Sequence, residues 1–507
     1  MKRILVIAGS DNSGGAGLEA DQKVIAAHGC YAMTATTALT AQNTLGVQDI
    51  HITPTDFVLK QINACIDDIG VDVVKTGMLA SASTVSIVAR ALREHKVPLS
   101  IVDPVMVSTS GSQLLPKAAV RVLCDELLPL TTILTPNVPE ACLLLREAGL
   151  PAIDVQDLEG LKALAAAVHG LGPRYVLVKG GHLPLTAEYK VATSECEKQI
   201  VANVLYAGHT STIVELPYQD SRNTHGTGCS LASAIACNLA KSPADVEKAV
   251  RSACRYVDAA IRSSPNLGQG AGPLNHFHSM QILPFAPGNF IDYMLERDDV
   301  RPAWHEYTHH AFVEQMGDGT LSETSYKHYM IQDYLYLIHF ARANSLAGYK
   351  AKDLDDIAAA AQIVTSIRYE TDLHIAECAE LGITREEMEQ SEESQACTAY
   401  TRYVLDIGHS EDTLALQISL LPCLLGYSVI AKRLHAQKVV TSKPNRYQTW
   451  IDNYTADSYS EVVATGRAFI EKHAMHQSPR RIEELVKILV HATRMETGFW
   501  EMASSPT

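Results

Sequence analysis

The hydrophobic pattern of the chain changes its grammar once. Up to about residue 278, short apolar runs alternate with longer stretches at helical spacing. The runs "RILVIA" (3–8), "VDVVKTG" (71–77), "PLSIVDP" (98–104), "TTILTPN" (131–137) and "RYVLVKGG" (174–181) are short, continuous and rich in Val, Ile and Leu, and predict buried strands. Stretches 15–28, 54–68, 82–95 and 155–169 predict helices between them. Such alternation predicts a mainly parallel sheet covered by helices on both faces. Ligands of such sheets sit at the carboxyl ends of the strands. There these runs carry Gly9-Ser10-Asp11, Thr76-Gly77, Asp103-Pro104, Thr135-Pro136-Asn137 and Lys179-Gly180-Gly181.

The stretch 279–290, "SMQILPFAPGNF", holds two prolines and a glycine and reads as a linker. Beyond it, 291–507 shows no convincing strand. Helical patterns run over 322–347, 354–381, 385–406, 411–436, 457–473 and 479–502, predicting an all-α second domain after the α/β domain of 1–278. The most apolar stretch, Leu414 to Ile430, contains Gln417, Ser419 and Pro422. It reads as a buried helix that falls short of a membrane span.

Composition narrows the class. A chain of 507 residues with 47% hydrophobic and 20% charged residues has material for two or three cores. The formal charge of −15 argues against nucleic acid as a partner. Eleven cysteines without a CxxC pair predict reduced thiols and a cytoplasmic setting. The N-terminal "MKRILVIAGS" reads as a strand rather than a signal peptide.

The chemistry of the first half centres on "NTHGTGCSLASAIA" (223–236). Backbone N–H groups at Gly226, Thr227, Gly228 and Cys229 can turn inward together, and the helix beginning there adds its positive end. An anion gains about 0.3–1 kcal/mol from that dipole. The same field is expected to lower the Cys229 pKa toward neutrality, making a thiolate able to accept a proton from a hydroxyl. A tight turn with a small buried cysteine explains the motif alone equally well. Other segments shift the balance. "SDNSGGAG" (10–17) is a second glycine-rich loop opening a helix. "TPNVPEA" (135–141) puts Asn137 and Glu140 at a strand end, where a carboxylate can help hold Mg²⁺. "VKGGH" (178–182) offers Lys179 to phosphate charge.

Seven segments in order, "AGSDNSGGAGLEADQK", "TALTAQNTLGVQ", "VKTGML", "DPVMVSTSGSQLL", "TPNVPEA", "VLVKGGH" and "NTHGTGC", resemble the hydroxymethylpyrimidine/phosphomethylpyrimidine kinase family of ribokinase-like fold. The resemblance implies Cys229 as catalytic base, where most ribokinase-like relatives have an aspartate, and Gly226, Thr227 and Gly228 as an anion hole. It implies Gly9, Asp21, Gln42 and Met78 around an aminopyrimidine, Lys179 and Asn137 toward ATP, and Asp103 and Glu140 toward Mg²⁺. Helix capping or ion pairing are the structural alternatives for those two carboxylates.

In the second half, "LALQISLLPCLLGYSVIAKRL" (414–434) places Cys423 and Tyr427 four apart on one helix face, with Pro422 expected to kink the helix and free a carbonyl. "SYKHYMIQDYLYLIHFARA" (325–343) pairs Asp333 with Tyr336, and "HATRMETGFWEM" (491–502) groups Glu496, Phe499 and Trp500. Two carboxylates, a thiol and stacked aromatics suit a flat, basic heteroaromatic ligand. These segments, with "TAYTRYV" and "WIDNYTADSY", resemble thiaminase II, of haem-oxygenase-like all-α fold. By that resemblance Cys423 is the nucleophile, Glu496 the acid/base and Asp333 the pyrimidine contact that assists the thiol. Tyr336, Tyr400, Tyr427 and Tyr454 line the pocket.

The two resemblances imply one product and one substrate. The helical half releases hydroxymethylpyrimidine from thiamin or an aminopyrimidine derivative, and the α/β half phosphorylates it with MgATP. Small-molecule substrates, no nucleic acid, no membrane and a homo-oligomer are the expected partners. Pyridoxal or pyridoxine as kinase substrate, and a non-catalytic binding or assembly role for the helical half, stand as alternatives.

Overall fold

The computed structural model describes residues 1–106, 115–437 and 445–505. Residues 107–114, within the segment "DPVMVSTSGSQLL", lie outside the described residues. The chain forms two compact units, Met1–Met280 and Gln281–Thr507.

The first unit is built on nine strands: β1 (Arg3–Asp11), β2 (Tyr31–Asn43), β3 (Gly46–Ile52), β4 (Val73–Thr76), β5 (Ser100–Val102), β6 (Ile133–Leu134), β7 (Tyr175–Val178), β8 (Ile200–Tyr206) and β9 (Ser211–Pro217). Their order is β3-β2-β1-β4-β5-β6-β7-β8-β9. The pairs from β2 through β1 to β7 are parallel, while β3, β8 and β9 join antiparallel. In β1, successive residues serve opposite faces. Leu5 and Ile7 enter the core beneath the helices Thr55–Asp68, Ala82–Glu94, Val138–Glu147 and Leu158–His169. Ile4, Val6 and Ala8 enter the core shared with Gly17–Ala27, Thr227–Lys241 and Val246–Arg262. Burial on both faces is why the run carries no polar alternation.

The helix Thr227–Lys241 is almost wholly buried, from Ser230 through Cys237 and again at Leu239 and Ala240. Its sequence is dominated by Gly, Ala, Ser and Cys, so it can run close beside the sheet and the Gly17–Ala27 helix.

The second unit is helical, without a strand among its described residues. Two long helices, Glu323–Lys350 and Leu354–Glu380, pack side by side. The expected helix over 385–406 is two helices, Arg385–Gln390 and Gln395–Ser410, because the Ser394 side chain accepts from the Cys397 N–H and starts a new helix. The apolar segment at 413–436 does not break at Pro422. It continues as Thr413–Leu421, a π-helical turn Pro422–Gly426 and Tyr427–Ala436. By length and hydropathy this 24-residue span could cross a membrane, contrary to the sequence expectation, but its most apolar window is 94% buried inside the protein.

Candidate active sites

A cavity of about 660 Å³ lies across the carboxyl ends of the parallel strands. β1 contributes Ala8 to Asp11, the β4 end Gly77 and Met78, the β5 end Asp103 and Val105, the β6 end Asn137 and Glu140, and the β7 end Lys179. Gly9, Gln42 and Met78 line it together toward the β2, β1 and β4 side of the sheet. At the other end stand Asn203, Leu216, Tyr218, Val257 and Ile261, which the sequence reading missed. Gly226, Thr227, Gly228 and Cys229 also line the cavity, together with Asp103 and Lys179.

The glycine turn is built for close approach. Gly226 caps the Thr227–Lys241 helix in the left-handed conformation, φ +82, and a Cβ there would lie 1.9 Å from Gly15 O. A Cβ at Gly228 would lie 3.1 Å from Lys179 Nζ and 3.5 Å from Asp103 Oδ2, so this glycine keeps the space above that ion pair open. The two glycine-rich loops are clasped by His225 Nε2 and Asp11 Oδ2 at 2.9 Å. Asp11 is further held by the backbone N–H groups of Ser13 and Ala16.

Lys179 Nζ donates to Asp103 Oδ1 at 2.7 Å. Burial opposes the lysine charge, but Asp103 and Glu140 more than restore it. Glu140 and Asn137 form a reciprocal cap: Glu140 Oε2 accepts from Asn137 N and Asn137 Oδ1 from Glu140 N, each at 2.9 Å. The structural alternatives weighed for Asp103 and Glu140 therefore both hold, although both side chains still face the cavity. Burial lifts the Glu140 pKa to about 7, against Lys179 and with the Asp103 charge adding to it. Two crowded carboxyls of this kind suit a divalent cation. Among the described residues no group of three or more His, Cys, Asp or Glu side chains could hold a metal alone. An ion at this pair therefore needs phosphate oxygens and water to complete its shell.

Two expectations are corrected. Asp21 does not line the cavity. It is fully buried behind its wall, accepting from Lys75 Nζ at 2.8 and 2.9 Å and from Ser233 Oγ at 2.7 Å. The Cys229 pKa is not lowered. Burial pushes it up to about 11, and Lys75 and the Gly17 N–H only partly offset that.

In the helical unit the residues read from sequence come together. Tyr400 Oη donates to Glu496 Oε1 at 2.9 Å, and the Tyr336 and Tyr400 rings stack 4.9 Å apart. Burial lifts the Glu496 pKa to about 8, against the Tyr400 hydrogen bond. Burial also raises the Cys423 thiol well above its ordinary value, and the charges of Glu496, Asp333 and Glu370 add to this. A charged Asp333 would oppose the thiolate. Asp333 is itself pushed strongly upward by burial and by Glu370 and Glu496, so it favours its neutral form. Tyr427 packs on Trp450, Tyr454 and Trp500. Among the described residues, no hydrogen bond of ordinary geometry reaches the buried Tyr336 hydroxyl or the Trp500 indole N–H.

The π-helical turn positions Cys423. Its carbonyls are not wasted: Tyr307 Oη donates to Pro422 O at 3.2 Å, and Tyr459 Oη reaches Cys423 O at 3.4 Å and Leu424 O at 3.1 Å. Sequence reasoning missed these tyrosines. It also missed Glu370, which accepts from Tyr454 Oη at 2.9 Å, and His374, whose Nδ1 lies 3.3 Å from Asp333 Oδ2. Glu370 and His374 are four apart on one helix, a spacing legible in "ETDLH".

Fold and site together define a two-site protein with a strand-end cavity lined by a glycine turn in one unit and a thiol–carboxyl cluster in the other. Residues 11–275 match the Phosphomethylpyrimidine kinase family model, and 297–505 match the TENA/THI-4/PQQC family. The chain belongs to the family of hydroxymethylpyrimidine/phosphomethylpyrimidine kinases that carry a fused TENA/THI-4 domain. A putative hydroxymethylpyrimidine/phosphomethylpyrimidine kinase 2 of Schizosaccharomyces pombe is 43% identical over 98% of this chain and 90% of its own. A hydroxymethylpyrimidine/phosphomethylpyrimidine kinase of Saccharomyces cerevisiae is 32% identical over 99% and 95%. Among solved structures, a pyridoxal kinase of Bacillus subtilis in complex with ADP is 32% identical, covers 54% of this chain and 97% of that chain, and has a TM-score of 0.47.

Proposed function

We propose that the protein is a bifunctional enzyme of thiamin biosynthesis and salvage. The first unit phosphorylates 4-amino-5-hydroxymethyl-2-methylpyrimidine and its monophosphate with MgATP. The second hydrolyses thiamin, or an aminopyrimidine derived from it, to the same hydroxymethylpyrimidine. The observation that carries this reading is the pair of thiols in contrasting sites: Cys229 on a glycine-turned helix terminus beside Lys179, and Cys423 among carboxyls and stacked tyrosines.

In the kinase site the pyrimidine lies at the Gly9, Gln42 and Met78 end, where the Gln42 amide offers a donor and an acceptor to an amine beside a ring nitrogen. The nucleotide base lies at the Leu216, Val257 and Ile261 end. The substrate hydroxyl gives its proton to the Cys229 thiolate, its oxygen bonds to the γ-phosphorus, and the bond to ADP breaks. The N–H groups of Gly226 to Gly228 receive the charge of the phosphoryl group in transit, and Lys179 balances the phosphates. Asp103 and Glu140 would hold the magnesium ion, which supplies further neutralisation of phosphate charge when bound.

In the helical site the carboxyls suit a cationic or basic ring, whose charge would in turn favour the Cys423 thiolate. The sulfur adds to a pyrimidine ring carbon, the leaving group departs with the electron pair of its bond, water adds in its place, and the C–S bond then breaks to restore the ring and the Cys423 thiolate. Glu496 donates a proton as the leaving group departs and recovers one from the water. A cytoplasmic setting and a homo-oligomer are proposed with this reading; the cysteines among the described residues are all free.

A crossed pair of variants tests it. Cys229→Ala is expected to abolish phosphorylation and spare cleavage, and Cys423→Ala to do the reverse, with a covalent pyrimidine adduct forming only at Cys423. A preference for pyridoxine over hydroxymethylpyrimidine in steady-state kinetics would overturn the kinase assignment. Failure of the wild-type protein to release pyrimidine from thiamin or its aminopyrimidine derivative would leave the helical unit a binding module.

A further inference from the structure

Lys75 belongs to neither set of residues proposed to touch substrate. It is wholly buried in β4, an environment that expels an ammonium group unless a partner holds it. That partner is Asp21, gripped through both oxygens, and Asp21 is steadied in turn by the Ser233 hydroxyl. Ser233 lies four residues after Cys229 on the same helix, so the ion pair sits one turn below the thiol on one helix face. The upper side of the ammonium is equally defined. A Cβ built on Gly77 would lie 3.2 Å from Lys75 Nζ, and Gly77 lines the cavity together with Cys229. The cation therefore stands directly under the cavity floor, with its carboxylate partner beyond it.

We propose that Lys75 is a positioning residue for phosphoryl transfer: its ammonium, anchored from behind by Asp21 and Ser233, supplies from beneath the floor the positive charge that Cys229 needs as a thiolate. The inference rests on Cys229 being the base. In the step it serves, the hydroxyl proton passes to sulfur, the freed oxygen bonds to phosphorus, and ADP leaves with the electron pair of the broken P–O bond. Lys75 keeps its proton throughout.

The groups facing the thiol come from every side. The helix terminus and the Gly17 N–H favour the thiolate, and so does Lys75. Asp21 and Asp103 oppose it, and Lys179, paired with Asp103, offsets the latter. Lys75 weighs on the sulfur more than Asp21 does, so the pair acts on it as a net positive charge. Two carboxylates already surround this floor. A third ionised carboxylate in place of Cys229 would add to their repulsion permanently, whereas a thiol, having given its own proton to solvent, holds the charge only until the substrate proton reaches it.

The test uses the full-length protein. Lys75→Met alone leaves a buried carboxylate unpaired and can fail to fold, so Lys75→Met/Asp21→Asn, which removes both charges, is measured beside it. The first readout is the rate at which iodoacetamide alkylates Cys229, followed across pH by mass spectrometry of the peptide that contains it. The second is the pH profile of kcat for phosphorylation. Folded double variant is expected to alkylate about tenfold more slowly at a fixed pH below the thiol pKa, and the acid limb of kcat is expected to move up by about one unit. An alkylation rate and acid limb equal to wild type in a folded double variant would overturn the role of Lys75. If Cys229→Ala retained phosphorylation, the base assignment itself would fall, whatever Lys75 does.

Discussion

At the scale of single residues, burial decides the chemistry. Glu496 lies beside Tyr400 with its pKa lifted to about 8, so near neutrality it carries a proton it can give away. Pyrimidine release should therefore fall as pH rises through about 8. Glu496→Gln should cost at least about 10²-fold in cleavage rate while leaving phosphorylation untouched, as steady-state assays of both activities will report. Cys229 shows the same force with a different outcome, since burial pushes its thiol up to about 11 against Lys75 and the Gly17 N–H. Such balances were not legible in the sequence. Cys229, Lys179 and Glu496 stand out because their neighbours form motifs. Lys75 sits in an apolar strand, and its partner Asp21 is 54 positions away. Glu370 and His374 lie on a helix whose sequence offers many charged positions, and nothing local distinguishes the inward ones from those in water.

At the scale of elements, regular burial was legible and mixed burial was not. β1, β4, β5, β6 and β7 are covered on both faces and read as apolar runs. β2, "YAMTATTALTAQN", is built on Ala and Thr, and its outer half is exposed on alternate residues, so no apolar run marks it. β8 and β9 form an antiparallel ribbon at the sheet edge, and with them the far end of the cavity escaped notice. In the helical unit, Pro422 signals a disturbance, but its form, a π-helical turn closed by distant tyrosines, depends on tertiary contacts. Tyr459→Phe removes the hydroxyl that secures the carbonyls of Cys423 and Leu424. It should lower cleavage about tenfold through misplacement of the thiol and destabilise the unit by about 1 kcal/mol, measured by kinetics and urea unfolding.

At the scale of the whole molecule, each unit carries cores of its own, and each stores protons in buried carboxyls. Burial lifts Glu140 to about 7, Glu370 to about 7 and Glu496 to about 8, all from an ordinary value of 4.5. With folded pKa values above the unfolded ones, their contribution to stability is full below about 4.5 and is lost as pH rises through 7 to 8. The urea midpoint should fall between about pH 5 and pH 9, and Glu370→Gln should flatten that dependence. The span Thr413–Ala436 has a further consequence for how the protein is made. One of the helices that cover it, Pro479–Ser504, leaves the ribosome after the span itself. For the time needed to add those residues, the nascent chain displays 24 residues as greasy as a membrane anchor with part of their shelter not yet synthesised. Folding of this unit is thus a race between completing that covering helix and capture of the segment by chaperone, membrane or another unfinished chain.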